Sequence, residues 1–416
     1  MKAPAGPRRR PFAALAAAVA LVLVTGGCGG GAPADAGKDE VTSLTVLDYY
    51  TDTSEHAHWG ELLASCGKKA GVSVRHRSVP TASLVPTALR QAKAGALPDL
   101  LMLDNPDLQQ FARSGVLAPL HAYGVRGDGF GEGILSAGTH RGELYGLAPT
   151  ANTLALFYDK TALAEAGVPV PRTWDELRKA AAATTRPGRY GLAVDADASF
   201  EATFQFLPFL WSNGGDERDL DTPQAAGALR LWTGLVNDGY MSRSVLGWNQ
   251  ADVHEQFLGG KAAMMVNGPW RIPALDTAKD LDWGVVPLPV PRLGDALVTP
   301  LGGEVWTVPR TGSEARQKKA AEVLACLNEP AGMLALAGWH HTVPSRPDVA
   351  RRYARQVPAM AAFVRSAEGA RARTRALGPD WPRTATAIHT AVQAAISGQQ
   401  TPENALRQAQ RAATGS

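Results

Sequence analysis

The chain has 416 residues, 45% of them hydrophobic and 19% charged, with a formal charge of +3. Four of its positive charges, Lys2, Arg8, Arg9 and Arg10, precede Cys28 in a stretch with no acid, so the remainder falls to −1 and offers no general basic surface for nucleic acid. That remainder is well above the ~100–200 residues of one domain, so two domains or lobes are expected.

From the N-terminus, the basic run Arg8-Arg9-Arg10 is followed by an apolar segment, Ala13 to Val24, and by the small residues Thr25-Gly26-Gly27 before Cys28. The apolar part is shorter than the ~20 residues that cross a bilayer core of roughly 30 Å, so it reads as a removable export signal, residues 1–27, ending in a thiol. Gly29 to Lys38 then reads as a Gly/Ala/Pro tether without apolar period. No second long apolar stretch follows.

Leu44-Thr45-Val46-Leu47 is a short strand stopping at Asp48-Tyr49-Tyr50, and Trp59-Leu62-Leu63 starts a helical pattern. A second strand is predicted at Val72 to Val74, a helix at Leu84 to Ala94, a third strand at Leu100 to Leu103 ending at Asp104-Asn105, and a helix at Asp107 to Ser114. This alternation predicts an α/β sheet, mostly parallel, with helices on both faces and ligands at the carboxyl ends of its strands. Asp48, Tyr49, Tyr50, Asp104 and Asn105 stand at such ends. Thr150-Ala151-Asn152 reads as a crossing between lobes, ahead of a strand at Leu154 to Tyr158. Thr173, with Glu176 three residues on, reads as a capping box opening the next helix. Further helices are predicted at Phe200 to Trp211, Pro223 to Asn237, Ala315 to Asn328, Pro330 to Gly338 and Thr384 to Ile396. Strands are predicted at Ala262 to Val266, broken by Asn267-Gly268-Pro269-Trp270, and at Trp283 to Leu288 and Val305 to Val308. Beyond Cys28 the cysteines are Cys66 and Cys326, open at this point to one disulfide or to two buried thiols. No Cys/His spacing for zinc occurs, and no metal or cofactor is expected.

Several phrases in this order resemble the extracellular sugar-binding proteins of ABC importers, the family that includes maltose-binding protein. They are Tyr145-Gly146-Leu147-Ala148-Pro149, Leu156-Phe157-Tyr158-Asp159-Lys160, Ala166-Gly167-Val168-Pro169 and Arg172-Thr173-Trp174-Asp175-Glu176-Leu177. Gly260-Lys261-Ala262-Ala263-Met264, Asn267-Gly268-Pro269-Trp270, Leu301-Gly302-Gly303 and the run Ser397 to Leu406 follow. The leader likewise resembles a bacterial lipoprotein signal, with Thr25 where that pattern usually carries Leu; Cys28 would then be lipidated, and residues 28–40 would tether the protein to the outer face of the cell membrane.

The resemblance implies a two-lobed, type II periplasmic-binding-protein-like fold, each lobe a mostly parallel sheet flanked by helices, with the ligand cleft between. Lobe one would take residues 41–150 plus about 272–330, and lobe two 151–271 plus about 331–416. It implies a monomer that closes by hinge motion on a sugar or oligosaccharide and hands it to ABC permease subunits. Sugar rings need aromatic faces and their hydroxyl rims need carboxylates and amides. By position, the resemblance assigns ligand contact to Asp104, Asn105, Asn152, Glu201, Phe204, Asn267, Trp270, Gly302, Gly303, Glu304, Asp380 and Trp381, beside the strand-end pair Tyr49 and Tyr50. It also puts Cys66 and Cys326 on helices of one lobe, where a disulfide would join them.

Three other readings compete: an exported binder of a non-sugar solute, a sensor-coupled lipoprotein and a secreted glycosidase. The last needs a catalytic acid pair, and nothing marks one. Ser65-Cys66-Gly67-Lys68 fits Ser-x-x-Lys without the partner motifs of penicillin-binding enzymes. No catalytic residue is assigned.

Overall fold

Leu100–Asp104 opens with an unbroken run of four apolar residues, all fully buried, which suits a strand covered on both faces. In the computed structural model, which describes residues 40–415, it is the centre of a five-stranded sheet. The leader, Cys28 and the tether through residue 39 lie outside the described residues. Ser43–Asp48 runs parallel to the central strand on one side, with Ser73–Ser78 parallel beyond it. Glu304–Thr307 lies antiparallel on the other side, with Gly146–Leu147 antiparallel beyond that.

A second sheet of three strands is built from Trp283–Val286, Ala155–Asp159 and Met264–Asn267, in that order. Side chains alternate across a strand, so Leu156, Met264 and Val266 enter one core while Ala155, Phe157 and Met265 enter another on the opposite face. Both named pairings are antiparallel, where a mostly parallel sheet was expected. The parallel character survives as single bridges, Tyr190 to Ala262 and Ala193 to Met265, at the flank of the sheet.

The helices begin where local chemistry places them. Asp52 caps Thr53–Lys69 by accepting from the backbone N–H groups of Ser54 and Glu55. Thr173 and Glu176 form the expected capping box at the start of Trp174–Thr184. Thr53–Lys69 and Glu314–Leu327 pack side by side on the first sheet, and Cys66 is joined to Cys326 there by a disulfide across 260 residues of sequence.

Everything from Val41 onward forms one compact unit, with the chain passing repeatedly between the two sheets. Thr150–Ala151 pairs with Val343–Pro344, Asn152 bridges Gly302, and Pro300–Leu301 pairs with Arg371–Ala372. The expected assignment of 272–330 to the first half needs correction. Ile272 and Leu275 belong to a core of the second sheet and Trp283–Val286 is its edge strand, because Val286 and Val285 pair with Leu156 and Phe157. The first sheet regains the chain only at Leu301 to Val308.

Candidate functional site

Three strands of the first sheet bring their ends to one edge. The antiparallel register sets Glu304, at the start of its strand, opposite Asp104, at the end of the neighbouring one. Ser43–Asp48 runs parallel to Leu100–Asp104, so Tyr49 and Tyr50 arrive at the same edge. Both phenols donate to Glu304: Tyr49 Oη to Oε1, and Tyr50 Oη to Oε2 at 2.8 Å. Burial pushes the Glu304 carboxyl up, the Tyr49 bond opposes that, and the charge of Asp104 adds to it. Burial first and Glu304 second hold both tyrosine hydroxyls well above the ordinary phenol range, so they stay donors at neutral pH. Tyr50 is stacked on Trp59 at 5.3 Å and on His340 at 6.0 Å, which fixes the plane of its ring.

The crossing chains form the floor. Asn152 and Gly302 exchange backbone hydrogen bonds of 3.1 and 2.9 Å. A Cβ on Gly302 would lie 2.0 Å from Asn152 Oδ1 and 3.0 Å from Phe204 Cζ, and Gly303 has φ near 100°, which side chains rarely adopt. These glycines were expected to let a ligand approach the backbone. At Gly302 that space holds the protein's own Asn152 and Phe204. Asn105 is corrected for a similar reason: it is 1% exposed, and its amide donates to the carbonyls of Gly303 (2.9 Å) and Leu301 (3.3 Å), so it braces this loop.

The second sheet meets the crossing through its own strand end. Asn267 pairs with Ala155, three residues beyond Asn152, so the turn after Met264–Asn267 opens toward the crossing. Asn267 itself is fully buried, donating to Gln250 O at 2.9 Å and accepting from Gly268 N–H at 3.0 Å; it shapes the turn instead of meeting a ligand. Trp270 follows, half-buried against the second core, with its ring so close over Gly268 that a Cβ there would fall 2.0 Å from it. Glu201 stands in the first turn of Phe200–Ser212, where the Gln250 backbone and the charge of Arg271 favour its ionised form. Burial first and then the charge of Asp197 push its carboxyl up, and the charge of Asp104 adds to this.

Arg373 was not singled out from sequence, yet it ties these groups together. Its Nη2 donates to Asp104 Oδ1 at 2.8 Å while its guanidinium lies 5.1 Å from the centre of the Phe204 ring. Arg371 repeats the arrangement two residues earlier, 4.8 Å over Trp211 and bonded to Glu217 at 2.7 Å. Phe204 and Trp211 are seven residues apart on one helix face, and Arg371 and Arg373, two apart in an extended segment, point to the same side. The available signal was Arg371-Ala372-Arg373, two cations flanking a small residue. Asp107, one 3-10 turn after Asp104, is pushed up to about 7 by burial and by Asp104, with Arg373 opposing.

Two expected contacts fall elsewhere. Trp381 is 4% exposed and packs in the second core with Ala385 and Ile388, because it opens the helix Trp381–Ile396 on its apolar stripe. Asp380 is exposed, 3.9 Å from Arg383, and lines a groove with Gln109, His140, Thr374 and Arg375.

Asp195 is fully buried, its carboxyl pushed up to about 8 by burial and then by Asp197. A carboxyl raised on folding stabilises fully below its unfolded pKa of about 4, and that contribution is lost as pH rises through the folded value. Asp195→Asn keeps an acceptor for the Asp197 N–H and has no charge to bury. Its thermal midpoint is therefore expected to exceed that of the wild type by several degrees at pH 8 and by much less at pH 5; melts showing the same difference at both pH values would refute this.

A family model for bacterial extracellular solute-binding proteins matches residues 61–363. A binding protein of Brucella abortus (strain 2308) is 28% identical over 274 residues, which is 63% of this chain and 65% of that protein, just under two thirds of its length. The maltooligosaccharide ABC transporter solute-binding lipoprotein of Streptococcus pneumoniae (TIGR4) is 25% identical over 322 residues, 69% of each chain. The crystal structure of the cyclic alpha-maltosyl-1,6-maltose binding protein from Arthrobacter globiformis superposes with a TM-score of 0.80 at 23% identity, covering 90% of this chain and 98% of that one, a likeness of fold.

Proposed function

Because the chain belongs to the bacterial extracellular solute-binding protein family, we propose that it captures a neutral oligosaccharide of the maltodextrin class and delivers it to an ABC permease. What supports this is the cluster of Tyr49, Tyr50, Asp104 and Glu304 at the edge of one sheet, with Phe204 of the other half against Gly302 at the Asn152 crossing and linked to Asp104 through Arg373; Glu201 and Trp270 would complete the site from the second half. Aromatic faces suit the C–H faces of pyranose rings, and carboxylates accept the hydroxyl protons at their rims. A site between two halves joined by crossing strands suits capture by hinge closure. The name of the Streptococcus relative supports the substrate class, and the leader supports anchoring through Cys28 on the outer face of the cell membrane. The ligand is held without chemical change.

Thermal melts with maltose, maltotriose, maltotetraose, cellobiose, trehalose and raffinose test this. A ligand that binds only the native state stabilises it by about 2.7 kcal/mol at a hundredfold excess over Kd. The midpoint is expected to rise with maltodextrin concentration. No response to any of these sugars, or release of reducing ends with turnover, would refute the reading.

A further inference from the structure

The turn after Trp174–Thr184 sets two arginines side by side. Arg186 and Arg189 exchange backbone hydrogen bonds of 2.9 Å in both directions around Pro187-Gly188, where Gly188 takes the positive φ of 83° that so tight a turn requires. Residues directly opposite across an antiparallel bridge project their side chains to one side, and like charges so placed destabilise each other. Arg189 is nonetheless only 9% exposed. Its Nε donates to Thr184 O at 3.0 Å, while among the described residues neither Nη has a partner. Burial first and the charge of Arg186 second weaken the hold of this guanidinium on its proton, with Asp159 and Glu165 opposing. A nearly sealed fork with most of its donors unspent, beside a second cation, points to an anion supplied from outside the chain.

Both arginines line a groove of about 530 Å³, within the size range of small-molecule sites, together with Lys261, Ser242, Ser244 and Gln256. The second sheet brings Lys261 there, because Tyr190 N–H donates to its carbonyl and Tyr190 bridges Ala262. The Lys261 ammonium has no partner among the described residues, and neither do the side chains of Ser244 and Gln256. Among the described residues the lining holds three cations and no acid. The nearest acids stand outside it: Glu165 lies 3.5 Å from Arg186, and Asp159 caps Lys160–Glu165 by accepting from Ala162 N–H. Such a surplus suits the roughly −1.5 to −2 charge of a phosphate monoester better than a singly charged group. A guanidinium fork spans two oxygens of a phosphoryl group, and hydroxyl and amide donors can meet the third. Tyr190, 39% exposed, and Trp248 add aromatic faces to the lining, a surface for a ring beyond the phosphate. We infer that this groove is a second binding site, for a phosphate monoester of a ring-bearing small molecule whose phosphoryl group is held by Arg186, Arg189 and Lys261. It shares no residue with the Glu304 cluster and goes beyond the saccharide reading above.

Calorimetric titration of the purified protein with phenyl phosphate, methyl phenyl phosphate, inorganic phosphate and phosphatidylglycerol vesicles tests it, using wild type, Arg189→Met and Lys261→Met. Phenyl phosphate is expected to bind wild type at least roughly tenfold more tightly than the diester, which carries less charge, and than inorganic phosphate, which lacks the ring. Both variants are expected to lose roughly tenfold or more in affinity for it. Wild type that ignores phenyl phosphate overturns the inference, as does unchanged affinity in Lys261→Met. Inorganic phosphate binding as tightly as the monoester overturns it in favour of a plain anion site, and vesicles binding where the monoester does not overturn it in favour of a lipid surface. Lys261 is exposed, so its variant is expected to melt like wild type and keeps the test decisive should Arg189→Met fail to fold. Maltotriose is expected to bind both variants as it binds wild type, so failure of this site and failure of the saccharide reading are distinguished.

Discussion

Trp270→Ala is expected to weaken maltodextrin binding by roughly tenfold to a hundredfold while leaving the far-ultraviolet circular dichroism unchanged, the equivalent of about 1.5–3 kcal/mol for one large apolar face withdrawn from water. Three features concentrate the effect in binding. Trp270 stands on the turn after Met264–Asn267, its ring rests on Gly268, and it is half-buried at the edge of the second core. Truncation there removes an aromatic plate without opening a large internal hole. Gly268→Val serves as a companion, because a side chain at that position pushes the ring away and leaves the tryptophan in place. Titration by calorimetry checks both; affinities equal to wild type in both variants would remove Trp270 from the site.

The second large effect is on stability. Replacing Cys66 and Cys326 together by alanine is expected to cost about 2–5 kcal/mol, since the bond restrains a loop of 260 residues in the unfolded chain. Both residues are buried on helices packed against the first sheet, so the variant also loses contacts within that core. The expected observation is a lower urea midpoint with maltodextrin affinity retained, because the bond joins Thr53–Lys69 to Glu314–Leu327 near their C-terminal ends, two turns along the helix from Trp59. An unchanged midpoint would show that the crosslink contributes nothing to the folded state.

Local features were legible in the sequence where their physics is local. The Thr173–Glu176 capping box and the strand ends at Asp48 and Asp104 depend on residues a few positions apart, and the structure has them. The pairing of Asp104 with Glu304 depends on an antiparallel register between strands about 200 residues apart, which no local pattern encodes. Trp381 shows a different kind of miss. It follows Gly-Pro-Asp much as Trp270 follows Gly-Pro, so the punctuation suggested a platform, while Ala385, Ile388 and Val392 continue it as a helical stripe that marks core. The second sheet was expected to be mostly parallel from the family resemblance; its antiparallel neighbours are brought together by returns that no local pattern specifies. Arg373 escaped notice since one arginine among three alternating ones reads as surface until Phe204 and Asp104 are seen around it.

The late arrival of Glu304–Thr307 sets a schedule for synthesis. Thr307 Oγ1 donates to Leu101 O across 206 residues, and Gly146–Leu147 joins the first sheet only through that same strand. A nascent chain that has delivered Ser43–Asp48, Ser73–Ser78 and Leu100–Asp104 thus holds an incomplete sheet with an unsatisfied edge, while the three strands of the other sheet emerge within the interval 155–286. Non-local pairing is slow. The first sheet is thus closed only after every strand of the other sheet has emerged, while the second core still awaits the helices Trp381–Ile396 and Pro402–Thr414.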